Sequence, residues 1–293
     1  MIKLLTLILT AAIFVLAAPF LSGLIARIKN DLRMRRGPSV WQPYFNLAKL
    51  FNKDEVVSGT ASWVFRMAPV IVLASSLTAV FCAREFLTLI FVLALGRFFL
   101  ALAALDTGSA FGGMGSSREM FISTLAEPVA CLAGFALTLQ FGTTDFIGSN
   151  RGLYVSAAAL LAGTSLFMVV LAETSRLPVD NQETHLELTM VHEAMILEYS
   201  GRRLAILELA AQVKQVIWIL IIAQVILPSL WVAGVAGSWQ WLGWVAAKVI
   251  MVSVIIGLIE VMVAKIRLFR VADFLSFAFI LGALAVICAI LGY

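Results

Sequence analysis

The chain has 293 residues, 62% of them hydrophobic and only 13% charged, with a formal net charge of +4 and a mean hydropathy of +1.01. Soluble domains carry roughly 25% charged residues, about twice this share, which excludes a water-soluble globular protein. The small basic surplus is no sign of nucleic-acid binding, because no soluble basic domain is present to bind it.

Apolar runs of about 20 residues match a bilayer core of roughly 30 Å. Eight occur in order, at 4–26, 66–83, 86–105, 119–141, 152–172, 203–228, 240–264 and 274–292. The runs are continuously apolar and do not alternate, so a barrel is excluded. The expected fold is all-α: one polytopic membrane domain over 1–293 with about eight transmembrane helices.

The first run carries Lys3 and a small-residue pair at Ala17-Ala18, features of a signal peptide. It is too long for a usual signal core and a strongly basic loop follows it, so it reads as a retained first span. In that loop, 27–65, Arg33, Arg35 and Arg36 precede the turn signal Gly37-Pro38. After Pro43, the residues Tyr44, Leu47, Leu50 and Phe51 recur at helical spacing with Lys49 and Lys53 elsewhere on the wheel. This predicts a short amphipathic helix in the membrane interface, either a lipid-surface helix or one wall of a chamber beneath a docked soluble subunit.

Several charges lie within or at the ends of the runs: Arg97, Glu119, Glu127, Glu208, Lys214, Lys248 and Glu260. Each costs roughly 2.5–3.5 kcal/mol at a helix centre, so such residues usually mark ion paths or paired contacts. Arg97 reads as a structural partner for a nearby carboxylate, and Glu119, near a helix end, as a snorkelling side chain. Glu127 precedes Pro128 deep in a span, where proline disturbs the backbone ladder and admits water. Lys214, Lys248 and Glu260 are not explained by an interface.

The third large loop, 173–202, concentrates charge as no other segment does. Glu173, Asp180, Glu183, Glu187, Glu193 and Glu198 are six of the seventeen acidic residues, and His185 and His192 are both histidines. After Leu177-Pro178 nothing from Gln182 to Tyr199 breaks a helix. On a continuous helix Glu187 would fall about 40° and Glu198 about 60° from Glu183, with the histidines close to the opposite face. Such carboxylates raise each other's pKa and suit proton exchange, whereas in a soluble protein the same face would be ordinary solvated surface.

Lysine and arginine place this loop. Fifteen of them fall on the side of loops 27–65, 106–118, 173–202 and 265–273, and three on the other: Lys3, Arg84 and Arg151. The fifteen predict those four loops to be cytoplasmic and both termini outside. Cys82, Cys131 and Cys288 are isolated, without iron–sulfur or zinc spacing. His192-Glu193 begins an HExxH pattern, but position 196 is Ile, and no phosphate loop or nucleophile elbow occurs. No metal, cofactor or covalent chemistry is expected in this chain itself.

Glu173-Thr-Ser-Arg176-Leu-Pro178-Val-Asp180, followed by Glu183, Glu187 and Glu198-Tyr199-Ser200-Gly201, resembles the signature of the respiratory complex I subunit 1 (H subunit) family. Arg36-Gly37-Pro38, Gln42-Pro43 and Lys49-Leu50-Phe51 are similar to that family's first loop, and Arg267-Leu-Phe-Arg270-Val-Ala-Asp273 is a looser match. Thr184-His185 through Met195, Leu105 to Ser109 and Ser117-Arg118-Glu119 look like its membrane-bound NiFe-hydrogenase branch, the hydrogenase-4 and formate hydrogenlyase type.

The resemblance implies a membrane subunit without a redox centre in the bacterial or archaeal cytoplasmic (inner) membrane. It would dock beneath a NiFe-hydrogenase large subunit and a small iron–sulfur subunit, which carry the NiFe centre and the clusters, beside antiporter-like membrane subunits. Its expected role is to anchor those partners and carry protons. The path would use Glu119, Glu127, Glu173, Glu183, Glu187, Glu193, Glu198, Glu208, Lys214, Lys248 and Glu260. Docking would use Arg33, Arg35, Arg36, Arg176, Asp180, His185, His192, Arg270 and Asp273. Replacing Glu198 or Glu127 with Gln is then expected to stop proton movement and leave assembly intact. Alternatives are a pure anchor that conducts nothing, and the quinone-site H subunit of an NADH:quinone oxidoreductase.

Overall fold

The computed structural model describes residues 2–59, 61–83, 85–144, 156–181, 190–226 and 239–292. Within them the chain is all-helical: α1 (Ile2–Leu32), α2 (Gln42–Phe51), α3 (Trp63–Phe81), α4 (Phe86–Asp106), α5 (Ala110–Phe141), α6 (Ala157–Glu173), α7 (His192–Ile196), α8 (Gly201–Ile226), α9 (Trp239–Met262) and α10 (Leu268–Leu291). Seven are long and apolar enough to cross a membrane; α6, at 17 residues, is the shorter eighth. Among the described residues each predicted run falls on one of these eight helices, overrunning a helix end by at most two residues.

Local chemistry sets the helix ends. Ser62, Ser109 and Ser156 cap α3, α5 and α6 by accepting from the amides of Val64, Gly112 and Ala159. Gly142 closes α5 in the left-handed conformation. The predicted loop 106–118 is mostly absent, because the Ser109 cap starts α5 at Ala110 and gives it 32 residues, about 48 Å. Glu119 therefore sits well inside a helix, 8% exposed, and does not snorkel.

Helix α8 is central, touching α1, α2, α3, α6 and α9, while α10 packs on α5 and α6. Val213, Ile217, Trp218, Ile219, Ile221 and Ile222 of α8 are buried, with Trp218 edge-on to Phe86 at 6.4 Å. The amphipathic helix is present as α2. Leu47 is its buried residue, and the Tyr44 hydroxyl donates to the Leu16 carbonyl of α1.

A second apolar patch joins Phe65, Leu100, Met195, Ile196, Tyr199 and Leu207. There Tyr199 stacks on Phe65 with ring centroids 4.0 Å apart and donates its hydroxyl to the Phe65 carbonyl at 3.0 Å. Beside it, Gly201 has φ +53° and lies so near segment 53–54 that a Cβ would meet the Asp54 carbonyl oxygen at 2.6 Å. The Ser200 hydroxyl bonds Val56 N–H and C=O at 2.8 and 2.9 Å. The Tyr199-Ser200-Gly201 stretch is thus the seam that fastens the first loop to the start of α8.

The continuous helix expected over 182–199 is not what forms. Met190 is non-helical and α7 spans only His192–Ile196. The Asp180 carboxylate takes the Val191 and His192 amides at 3.2 and 3.4 Å, and Arg118 takes the Met190 carbonyl at 2.9 Å. Those bonds occupy groups that a helix running through 190 would use internally, so the helix starts at 192. Glu198 is therefore not carried on a helix continuous through 190. Glu183, His185 and Glu187 lie outside the described residues, and Glu198 is exposed beyond the end of α7.

Candidate functional site

Two groups of buried charge face one cavity. In the first, Arg97 of α4 donates to Glu173 at the end of α6 at 2.6 Å and lies 3.4 Å from Glu127 and 3.8 Å from Glu119, both on α5. Lys214 of α8 reaches Glu173 at 3.1 Å, and the Ser123 hydroxyl donates to Glu127 at 2.8 Å. In the second, Glu260 of α9 pairs with Arg176 and, at 3.0 Å, with Lys29 of α1. Arg97, Glu119, Glu173, Lys29, Arg176 and Glu260 are each at most 9% exposed. Burial of this kind is tolerable only because each charge has an opposite partner in contact.

The charge balance of the first cluster is uneven. Among the described residues Arg97 and Lys214 face three carboxylates, and Lys29 and Arg176 share Glu260. With all groups ionised, the first cluster carries one surplus negative charge.

The cavity, of about 380 Å³, is lined by residues of both clusters and by Glu193 and Glu208. Four buried polar atoms of its lining lack a hydrogen-bond partner among the described residues: Nε of Arg97 and of Arg176, Oε1 of Gln212 and Nε2 of Gln215. Buried polar groups are rarely left unmade, and a polar cavity of this size takes water. On the far side α8 turns dry, with Val216 to Ala223 apolar apart from the indole N–H of Trp218 and all but Leu220 buried.

The structure sorts the expected proton-path residues. It brings Glu119, Glu127, Glu173 and Lys214 into one cluster, Glu260 into the other, and Glu193 and Glu208 onto the same cavity. Lys248, buried on α9, stands apart: it donates to Gln224 at 3.2 Å and is not part of the cavity lining.

Of the expected docking residues, Arg35, Arg36, Arg270 and Asp273 are exposed and Arg33 partly so. Arg176 and Asp180 do not suit that role. Both are buried, Arg176 on Glu260 and Asp180 on Lys265 at 2.6 Å, because each neutralises a charge inside the bundle. His192 also lines the cavity. Burial pushes the Tyr199 phenol above its usual range and keeps it a hydrogen-bond donor.

Sequence reasoning passed over Lys29, Lys265 and the two glutamines. Lys29 did leave a signal: it continues the buried stripe Leu21, Ile25 of α1 at four-residue spacing, where a solvated lysine would not fall. Lys265 left none, since nothing local ties it to Asp180.

The family described as NADH dehydrogenase matches residues 4–291, nearly the whole chain. The chain belongs to that family, which is the complex I subunit 1 family. Within it, hydrogenase-4 component C of Escherichia coli (strain K12) is 33% identical over 238 residues, covering 74% of this chain and 73% of that protein. Formate hydrogenlyase subunit 4 of the same organism is 28% identical over 238 residues, covering 75% and 76%. Among solved structures, a chain of the membrane-bound sulfane sulfur reductase (MBS), an archaeal respiratory membrane complex, shares the fold. Its TM-score is 0.79 at 17% identity, covering 97% of this chain and 99% of that one. This complex I subunit 1 family member is thus a multi-pass membrane protein with relatives in hydrogenase and formate hydrogenlyase systems.

Proposed function

We propose that this chain is the membrane-anchor and proton-path subunit of a membrane-bound NiFe-hydrogenase complex of the hydrogenase-4 or formate hydrogenlyase type. The observation that carries the reading is the polar cavity joining two buried charge clusters, one of them with a carboxylate more than its cations, inside a largely apolar bundle. A pure anchor has no use for such a cluster, since replacing buried ion pairs by apolar packing is often neutral or stabilising.

In this reading the loops rich in Lys and Arg face the cytoplasm, both termini face outside, and the membrane is the cytoplasmic one. The exposed Arg35, Arg36 and Arg270 grip the NiFe large subunit and the iron–sulfur small subunit, which hold all redox centres. Electron transfer there shifts the charge around Glu193 and Glu208, and a proton enters the water of the cavity. The surplus carboxylate beside Arg97 and Lys214 accepts it. The apolar stretch of α8 closes the direct way across, so the proton leaves sideways through Glu127. Its side chain is 35% exposed, toward an antiporter-like membrane subunit alongside.

The test is Glu127→Gln in the assembled complex in sealed vesicles. Proton movement is expected to fall to background while electron transfer and assembly persist. Retained proton movement in this variant refutes the path. A quinone-site role is judged by the same preparation, through loss of electron transfer with quinone-site inhibitors.

A further inference from the structure

Asp180 is 2% exposed and belongs to neither charge cluster. Its Oδ1 accepts from Lys265 Nζ at 2.6 Å and from its neighbour's amide, Asn181, at 2.8 Å. Its Oδ2 accepts from the Val191 amide at 3.2 Å and, more weakly, from His192 at 3.4 Å. Lys265 lies in the turn between α9 and α10, and that turn is held again where the Ile266 amide donates to the Pro178 carbonyl at 3.0 Å. One carboxylate therefore joins the start of α7 to the end of the helix that carries Glu260.

Helix α7 has only five residues, too few to hold itself in water or anywhere else. Its place is set by what grips it from outside, and it carries Glu193 on the cavity wall that Glu208 also lines. Arg118 grips the preceding carbonyl from α5, and Asp180 grips the amides. A charge-assisted bond to a buried carboxylate is about twice as strong as a neutral one, and Lys265 stands against this carboxylate as its counter-ion.

We propose that Asp180 is a positioning residue for Glu193: paired with Lys265, it locks the first turn of α7 to the α9–α10 turn and so fixes Glu193 on the cavity wall. Its functional arm rests on the proton-path reading. Its structural arm does not.

The experiment uses the purified complex with Asp180→Asn, Lys265→Met and Lys265→Arg. Amide hydrogen exchange is followed by mass spectrometry in peptides covering 190–193, and the proton-to-electron ratio is measured in sealed vesicles. Asn keeps the shape of Asp180 without its charge, Met removes the cation without touching the carboxylate, and Arg restores the cation. Asp180→Asn and Lys265→Met are expected to speed exchange in 190–193 by about tenfold and to lower the ratio at least to about half, with Lys265→Arg close to wild type. Unchanged exchange in the first two variants overturns the lock. Faster exchange with an unchanged ratio, where Glu193→Gln does lower it, overturns the positioning role. If Glu193→Gln and Glu127→Gln both leave the ratio intact, the proton path has failed, and the exchange data still decide on the lock.

Discussion

Arg97→Leu probes the central cluster most directly. Arg97 is 8% exposed and faces Glu173, Glu127 and Glu119 at 2.6, 3.4 and 3.8 Å. Without it Lys214, whose side chain is 20% exposed, is left to balance three carboxylates, and the surplus rises from one negative charge to two. Breaking a buried pair by removing one partner costs about 3–5 kcal/mol, a large part of a total stability of roughly 5–15 kcal/mol. The double variant Arg97→Leu/Glu173→Leu returns the surplus to one and replaces the closest pair by apolar surface, so it is expected to regain most of the loss. Thermal unfolding in mild detergent, followed by tryptophan fluorescence, compares the three proteins at one pH. A single variant within about 1 kcal/mol of wild type, or a double variant no better than the single, refutes the view that Arg97 is the cluster's counter-ion.

Other substitutions test the seam and the surface. Gly201→Ala forces a side chain onto a left-handed backbone and against the Asp54 carbonyl, and is expected to cost about 1–3 kcal/mol in the same melt. Tyr199→Phe keeps the stacking on Phe65 and removes the hydroxyl donor, costing about 0.5–1.5 kcal/mol near neutral pH. Because burial raises the Tyr199 phenol, its contribution is constant below the ordinary phenol value of about 10 and is lost as pH rises beyond it. The stability gap between wild type and Tyr199→Phe should therefore narrow in alkaline melts, and a constant gap would contradict the assignment. Arg36→Glu, at an exposed position, is expected to release soluble partners on co-purification with little change in melting, whereas Arg176→Leu should lower the melting temperature by stranding Glu260 beside Lys29 alone.

Much of this protein is legible along the line of its sequence, and the reason is physical. A bilayer asks for a fixed length of hydrocarbon, so each spanning helix announces itself as an apolar run, and serine caps and glycine stops near its ends refine the limits. The amphipathic α2 is legible the same way, from Tyr44, Leu47 and Leu50 at helical spacing. Buried charge is legible as a cost, which singles out Glu127, Lys214 and Glu260 before any partner is known.

Partnership is another matter, because it joins residues that the sequence keeps far apart. Arg97 meets Glu173 across 76 positions, and Arg176 meets Glu260 across 84. Asp180 shows the limit most clearly. Along the chain it is one acid among several in a charged loop with an uninterrupted helical pattern after it. In the bundle it is a buried acceptor that takes three backbone amides and a lysine and ends that helical pattern, where the family resemblance had assigned it to docking. Local spacing determined which segments are helices. The charges determined what those helices had to bury, and only their packing decided which charges meet.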